Sequence, residues 1–312
     1  MKVYLLSQKG ISKEASEDRI LVGAEVFADQ EATRFLEHGH VMLADGVGGN
    51  NAGAVAAYQV CKKMADTFEL TPESFSAINE HLFAMGAANE NYQNMATTAT
   101  GIMFSPQATA MSYHVGNTRL YAIQAGEYLK QLTSDDTVVD YLIRTGKLSE
   151  EEAASYPARN EITSCFGGGK PSLLRIKLES LDLSQYQQFL LTCDGIHDYL
   201  NVDEIEDVLG QCAGDWALAL RKLIVCAKEK GSPDDCSAII IDCDQTSCVA
   251  EIANCVEQTQ DMVTISTSEQ SVDHFISQNL GGGMVAPKVP EVESSSKNKF
   301  WNFFNKAERK ER

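Results

Sequence analysis

Positive charge is in short supply in this sequence. Lys and Arg total 26 against 44 Asp and Glu, a net charge of −18 over 312 residues. Phosphate-rich polymers and anionic bilayers need basic footprints, so the overall balance argues against nucleic acid as a partner. The same acidic surplus also serves solubility. Nine cysteines occur, yet none forms a C-x-x-C pair, and no Cys/His spacing resembles a zinc site. An apolar run of about 18 residues, as a membrane span requires, is missing. The opening MKVYLLSQKG is too poor in apolar residues for a signal peptide. The expectation is a cytoplasmic protein whose thiols are reduced and mostly act as small hydrophobes. There is no internal repeat, no G-x-S-x-G string, no Cys/His pair suggesting a thiol nucleophile and no P-loop. The glycines at 167–169 are not followed by G-K-[ST] and read as a turn.

What is present is enough apolar residue, 44%, to bury a core. Strand-like patterns fall at 3–6, 20–22, 40–44, 99–104, 108–115, 119–124, 173–178, 188–192 and 237–241. Helix-like patterns fall at 51–68, 72–95, 136–144, 149–155, 202–209 and 215–230. Two long helices in succession, then strands without crossover helices, predict an α+β fold with mostly antiparallel sheet. Composition changes after residue 243. Residues 244–296 are rich in Ser, Thr, Gln and Glu and read as a polar linker. Residues 297–312, KNKFWNFFNKAERKER, hold four aromatics and six basic against two acidic residues, a charge of +4. Aromatics beside basic residues suit docking to a partner or a membrane surface, and an inert tail is the plainer alternative.

The residues able to do chemistry are acids at strand ends. They are Glu17 and Asp18 in ASEDRI, Asp45 in VMLADGVGG, Asp194 in FLLTCDGIHD, and Asp234 and Asp235 in GSPDDCSAIII. Asp45 and Asp194 each follow an apolar strand and precede a glycine. A strand delivers the carboxylate rigidly, and the glycine lets backbone or ligand come close. Any one Asp-Gly pair is most often just a turn. Crowded together, carboxylates resist ionisation unless a hard dication removes the repulsion. Mg²⁺ and Mn²⁺ are such ions, and pairs of them activate water for attack on phosphorus.

The order and flanks of these acids resemble the metal-dependent protein phosphatases, the type 2C serine/threonine phosphatases, in their compact bacterial form. GISKEASEDRI, ADGVGGNNAGAVAA, ATTATGIMF, HVGNTRLYAI, the stretch LTSDDTVVDYL to SCFGGG, FLLTCDGIHDYL and PDDCSAIII match in the family's order across most of 1–243. The resemblance implies a four-layer αββα sandwich of two antiparallel sheets flanked by helix pairs. It implies a catalytic domain over 1–243 that hydrolyses phosphoserine and phosphothreonine in proteins, using water activated between two Mn²⁺ or Mg²⁺ ions. Asp45 would bridge the ions, the Gly46 carbonyl would bind one, and Asp194 and Asp234 would bind the other. Glu17, Asp18 and Asp235 would support from behind, and residues 135–160 would form a flap over the site. The substrates implied are proteins phosphorylated by a serine/threonine kinase, and a monomer is expected.

Three departures from the family pattern stand out. Lys13 takes the place of the arginine that clamps the substrate phosphate, giving charge without a two-pronged grip. Asn117 replaces an aspartate that can bind a third metal, which weakens the case for a third ion. The loop offers Val47, Asn50 and Asn51 but no histidine to act as general acid, so a metal-bound water would protonate the leaving group instead; His197, just after the Asp194 turn, is a supporting or acid candidate, with a solvated loop histidine the plainer alternative. The Lys13 and Asn117 departures motivate the competing reading, a pseudo-phosphatase that binds phosphoproteins without turnover.

Overall fold

The computed structural model describes residues 1–47, 52–125, 128–153, 156–159 and 161–243. Asn50, Asn51, residue 160 at the flap's end, the linker at 244–296 and the basic aromatic block at 297–312 lie outside the described residues. In chain order the strands are β1 Lys2–Gln8, β2 Arg19–Val22, β3 Glu25–Phe27, β4 Glu31–Phe35, β5 Gly39–Ala44, β6 Gly46–Val47, β7 Ala96–Thr97, β8 Ala99–Phe104, β9 Ala110–Val115, β10 Arg119–Ile123, β11 Leu129–Gln131, β12 Phe166–Gly167, β13 Lys177–Leu181, β14 Gln188–Thr192 and β15 Cys236–Asp242. The helices are α1 Ala52–Ala65, α2 Pro72–Ala88, α3 Val138–Arg144, α4 Glu150–Ala153, α5 Asp194–His197, α6 Val202–Cys212 and α7 Trp216–Glu229.

Two six-stranded sheets form, one in the order β11-β10-β14-β15-β1-β4 and the other β13-β9-β8-β5-β2-β3, with antiparallel pairing throughout. The period-2 alternation of β2 and β5 shows the layering. Ile20, Val22, Val41 and Leu43 share one core with Leu5, Leu191 and Ile239 of the other sheet. Leu21 and Met42 point the opposite way, into a second core with Val60 and Met64 of α1 and Phe75 and Leu82 of α2. On the far side, Leu209 of α6 and Leu220 and Leu223 of α7 join the first core. The result is the expected αββα sandwich. Every residue of β15 is buried, as a central strand covered on both faces requires.

Element ends follow local chemistry. Thr71 caps α2, with Pro72 in the first turn and a reciprocal capping box to Ser74. That helix stops at Ala88, short of the expected residue 95. Asn89 turns extended, and its side chain accepts the Asn91 N–H to start a 3₁₀ turn. The strand expected at 173–178 lies later, because Pro171 opens a 3₁₀ turn and β13 pairs with β9 only from Lys177. The edge strand β4 was not expected: its EATRF alternates exposed and half-buried residues and has no apolar face to announce it.

Candidate metal centre

Strand register brings the acids to one end of the sandwich. Arg19 pairs with Ala44, which sets Asp18 and Asp45 side by side at the end of the β2–β5 ladder. Thr192 pairs with Ala238 in the other sheet, which sets Asp194 beside the turn carrying Asp234 and Asp235. Each sheet therefore contributes one group of acids, and their charges interact across the sandwich.

That interaction is strong. Burial, then the charges of Asp235, Asp194 and Asp234, pushes the Asp18 carboxyl up to about 8. Burial with Asp194, Asp18 and Asp234 around it holds Asp45 well above the ordinary carboxylate range. Burial, Asp234 and Asp198 raise Asp194 to about 6, against hydrogen bonds from Asn117 and from Asp45 that favour its ionised form. Glu17 is also raised, by burial first, with Lys13 opposing.

The residues fit a hard cation. Both Asp18 carboxylate oxygens are buried and accept no hydrogen bond, a costly arrangement that a cation and its water shell would relieve. All the side chains concerned are oxygen donors, the set preferred by Mg²⁺ and Mn²⁺. Among the described residues no three of them form a ready cation cage. Lys13 Nζ lies 2.6 Å from Asp234 Oδ1, 2.9 Å from Asp235 Oδ2 and 3.4 Å from Glu17 Oε2. Burial works to lower the Lys13 pKa, but the charge and hydrogen bond of Asp234, then Asp235, raise it overall, so it stays an ammonium.

The backbone around the acids is locked. Asp45 N donates to Thr98 Oγ1 at 3.0 Å, while Thr97 Oγ1 and Thr98 N donate to the Asp45 carbonyl at 2.8 and 2.9 Å. Arg19 Nη1 donates to the carbonyls of Ser16 and Asp18, both at 2.7 Å, fixing the turn before β2. Asp235 is a brace, accepting Gly10 N at 2.7 Å and Glu17 N at 2.8 Å. Thr97, Thr98 and Arg19 were not singled out from the sequence; the TTAT run beside a strand was the available signal.

The two glycines after Asp45 and Asp194 serve close backbone approach. A Cβ on Gly46 would sit 2.5 Å from the Gly53 carbonyl of α1 and 2.7 Å from the Glu17 carbonyl oxygen. A Cβ on Gly195 would overlap the Asp235 carbonyl oxygen. Gly195→Ala is expected to cost about 1–3 kcal/mol of stability through overpacking. It should also weaken Mn²⁺-dependent thermal stabilisation, because it drives the Asp194 and Asp235 segments apart. Denaturant melts and thermal scans with and without Mn²⁺ check both effects.

Asn117 is buried, and its Nδ2 donates to Asp194 Oδ2 at 3.1 Å. His197 lies on the turn after Asp194. Its Nδ1 meets Thr192 Oγ1 at 2.8 Å, and burial with the nearby Arg119 charge holds the imidazole well below its ordinary pKa. It is neutral, which disfavours it as a proton donor. Beside these two residues opens a cleft of about 520 Å³ that reaches Asp135, Asp140 and Ile143. Arg119 grips Asp135 with both Nε and Nη2, at 2.8 Å for the latter, tying the segment after β11 to β10.

Comparison with known proteins follows this geometry. The profile of the family described as protein phosphatase 2C matches residues 26–217. The protein phosphatase PhpP of Streptococcus pneumoniae is 30% identical over 184 residues, covering 54% of this chain and 72% of that protein. The serine/threonine protein phosphatase PstP of Mycobacterium tuberculosis is 27% identical over 286 residues, covering 87% of this chain and 51% of PstP. Among solved structures, the catalytic domain of PstP in complex with two manganese ions superposes with a TM-score of 0.60 at 25% identity, covering 78% of this chain and 99% of that one.

Proposed function

The chain belongs to the protein phosphatase 2C family, and from that premise we propose specific roles for its clustered acids. It is a metal-dependent serine/threonine protein phosphatase, acting on phosphoserine and phosphothreonine in proteins. In our assignment Asp45, the Gly46 carbonyl, Asp194 and Asp234 hold two Mn²⁺ or Mg²⁺ ions. Bound there, the ions supply Lewis acidity and polarised water for in-line attack at phosphorus. The protein's own part is preorganisation. Asp18 and Glu17 accept from ordered water behind the ligands, Asp235 fixes their loop, and Asn117 orients Asp194. Lys13 supplies positive charge to the substrate phosphate. The observation that carries this reading is the convergence, set by strand register, of Asp18 and Asp45 from one sheet and Asp194 and Asp234 from the other at one end of the sandwich.

The neighbouring cleft under the flap gives the rest of a phosphoprotein a place to lie. We assign the catalytic domain to 1–243 and take its substrates to be targets of a serine/threonine kinase. The basic aromatic block at 297–312 is assigned to docking on its sequence alone. A cytoplasmic setting agrees with the free cysteines among the described residues, Cys61, Cys165, Cys193, Cys212, Cys226, Cys236 and Cys243. No helix of the described residues is long and apolar enough to cross a membrane. The pseudo-phosphatase reading has no structural support: a site without an ion has no use for acids that repel one another in the folded state.

Release of inorganic phosphate from a phosphothreonyl peptide tests the proposal. Turnover is expected with Mn²⁺, should vanish with excess EDTA, and should return when Mn²⁺ is restored. Undiminished turnover in EDTA would remove it, and peptide binding without turnover at saturating Mn²⁺ would favour the binding module.

A further inference from the structure

Lys13 is held where a simple phosphate clamp would not need to be. Its Nζ lies 2.6 Å from Asp234 Oδ1 and also touches Asp235 and Glu17, so three carboxylates surround one ammonium. The placement is built rather than casual. Ile11 N donates to the Pro233 carbonyl at 3.2 Å, Gly10 N donates to Asp235 Oδ1, and Lys13 N closes a turn onto the Gly10 carbonyl. Two loops that are far apart in sequence are thereby clamped together, one carrying the cation and the other the acids. A Cβ on Gly10 would come within 3.0 Å of the Asp234 carbonyl carbon, so the loops could not approach this closely with any other residue there.

An ammonium at hydrogen-bond distance occupies one lone-pair direction of Asp234 and neutralises charge that would otherwise attract a dication. We propose that Lys13 is a resident counter-cation of Asp234, so that an incoming Mg²⁺ or Mn²⁺ must displace it, and that displacement frees the Lys13 ammonium to meet the substrate phosphate. This rests on the assignment of Asp234 as a ligand. It makes one side chain do two things in order. Before the ion arrives, Lys13 quiets the repulsion among Asp234, Asp235 and Glu17. Afterwards it turns outward with its charge intact, still tethered by the 10–13 turn. Lysine suits this better than arginine, since a single point charge on a flexible stem exchanges partners more readily than a planar fork.

The test follows the Lys13 side chain directly, by ¹⁵Nζ nuclear magnetic resonance of the full chain, while Mg²⁺ binding is measured by calorimetry on the same sample. In the metal-free protein the ammonium signal should be visible, because its protons are shielded by carboxylates. It should shift or exchange-broaden in step with occupancy of the site assigned to Asp194 and Asp234. Lys13→Met should bind Mn²⁺ tighter by about tenfold, within the range that groups flanking the ligands exert on metal affinity, and the metal-free variant should melt earlier than the wild type. If calorimetry shows ions bound while the Lys13 signal stays unchanged, the displacement is overturned and the phosphatase assignment stands. If no ion binds at all, the metal centre falls and the displacement with it. Should Lys13→Met fail to fold, the resonance of the wild-type lysine decides alone.

Discussion

Asp45→Asn and Asp194→Asn should each lower phosphopeptide turnover by more than about 100-fold, beyond the loss expected from changing a group behind a metal ligand. Both should at the same time raise the melting midpoint of the metal-free protein. The opposite signs follow from one cause. In the absence of ions these carboxyls are half-buried among like charges, and desolvation together with that charge raises their proton affinity. An amide of the same shape removes that repulsion and keeps hydrogen-bonding capacity. The gain is confined to the metal-free state, so Mn²⁺ should stabilise the variants less than the wild type. A site tuned for function at the cost of stability behaves in this way. Variants that lose activity and stability together would point to a structural role for these acids instead.

The second large effect is on pH dependence. In an unfolded chain aspartates ionise near pH 4. In the folded, metal-free protein Asp194 keeps its proton to about 6 and Asp18 to about 8, with Asp45 raised as well. Between the unfolded and folded values the native state binds more protons than the unfolded chain, so stability falls as pH rises through this window. The share from Asp194 and Asp18 is fully present below the unfolded pKa and lost by about pH 8, with Asp45 adding to the fall. Thermal scans in EDTA should therefore show a midpoint that drops steadily from about pH 5 to about pH 8. At about 2–4 °C per kcal/mol for a domain of this size, the fall is easily read. Saturating Mn²⁺ should flatten or invert the trend, because the ion takes the place of the protons, and binding should release protons measurable in weak buffer. A flat curve in EDTA would mean that the acids do not confront one another.

The sequence disclosed the fold where local pattern and tertiary need agree. Strands 99–104 and 188–192 carry dense apolar runs, and β8 and β14 have those same limits. It failed where the pattern is carried by partners. β4 exists because β1 pairs with it, not because EATRF is apolar. β13 begins where β9 can receive it, past the proline that local hydropathy ignores. At the site, Asp45 and Asp194 are legible because an apolar strand running into Asp-Gly is a local signature. The meeting of Asp18 with Asp45 depends on the Arg19–Ala44 register, which no single segment contains. Thr97 and Thr98 are readable only as ordinary β-branched residues, although they hold the Asp45 backbone from three directions. Lys13 could be read as a phosphate-binding cation, but its seat among Glu17, Asp234 and Asp235 is a product of loop pairing across more than 200 residues.

β15 is last among the described strands and yet lies at the centre of its sheet, between β14 and β1. During synthesis, β1 must therefore wait for nearly the whole domain to emerge before its inner neighbour exists, a long-range closure of the kind that slows folding. The turn that carries Asp234 arrives with that same strand. A nascent or C-terminally clipped chain lacking it has neither a closed sheet nor a full set of acids. On the ligand role proposed for Asp234, a chain ending before β15 is expected to release no phosphate from a phosphopeptide.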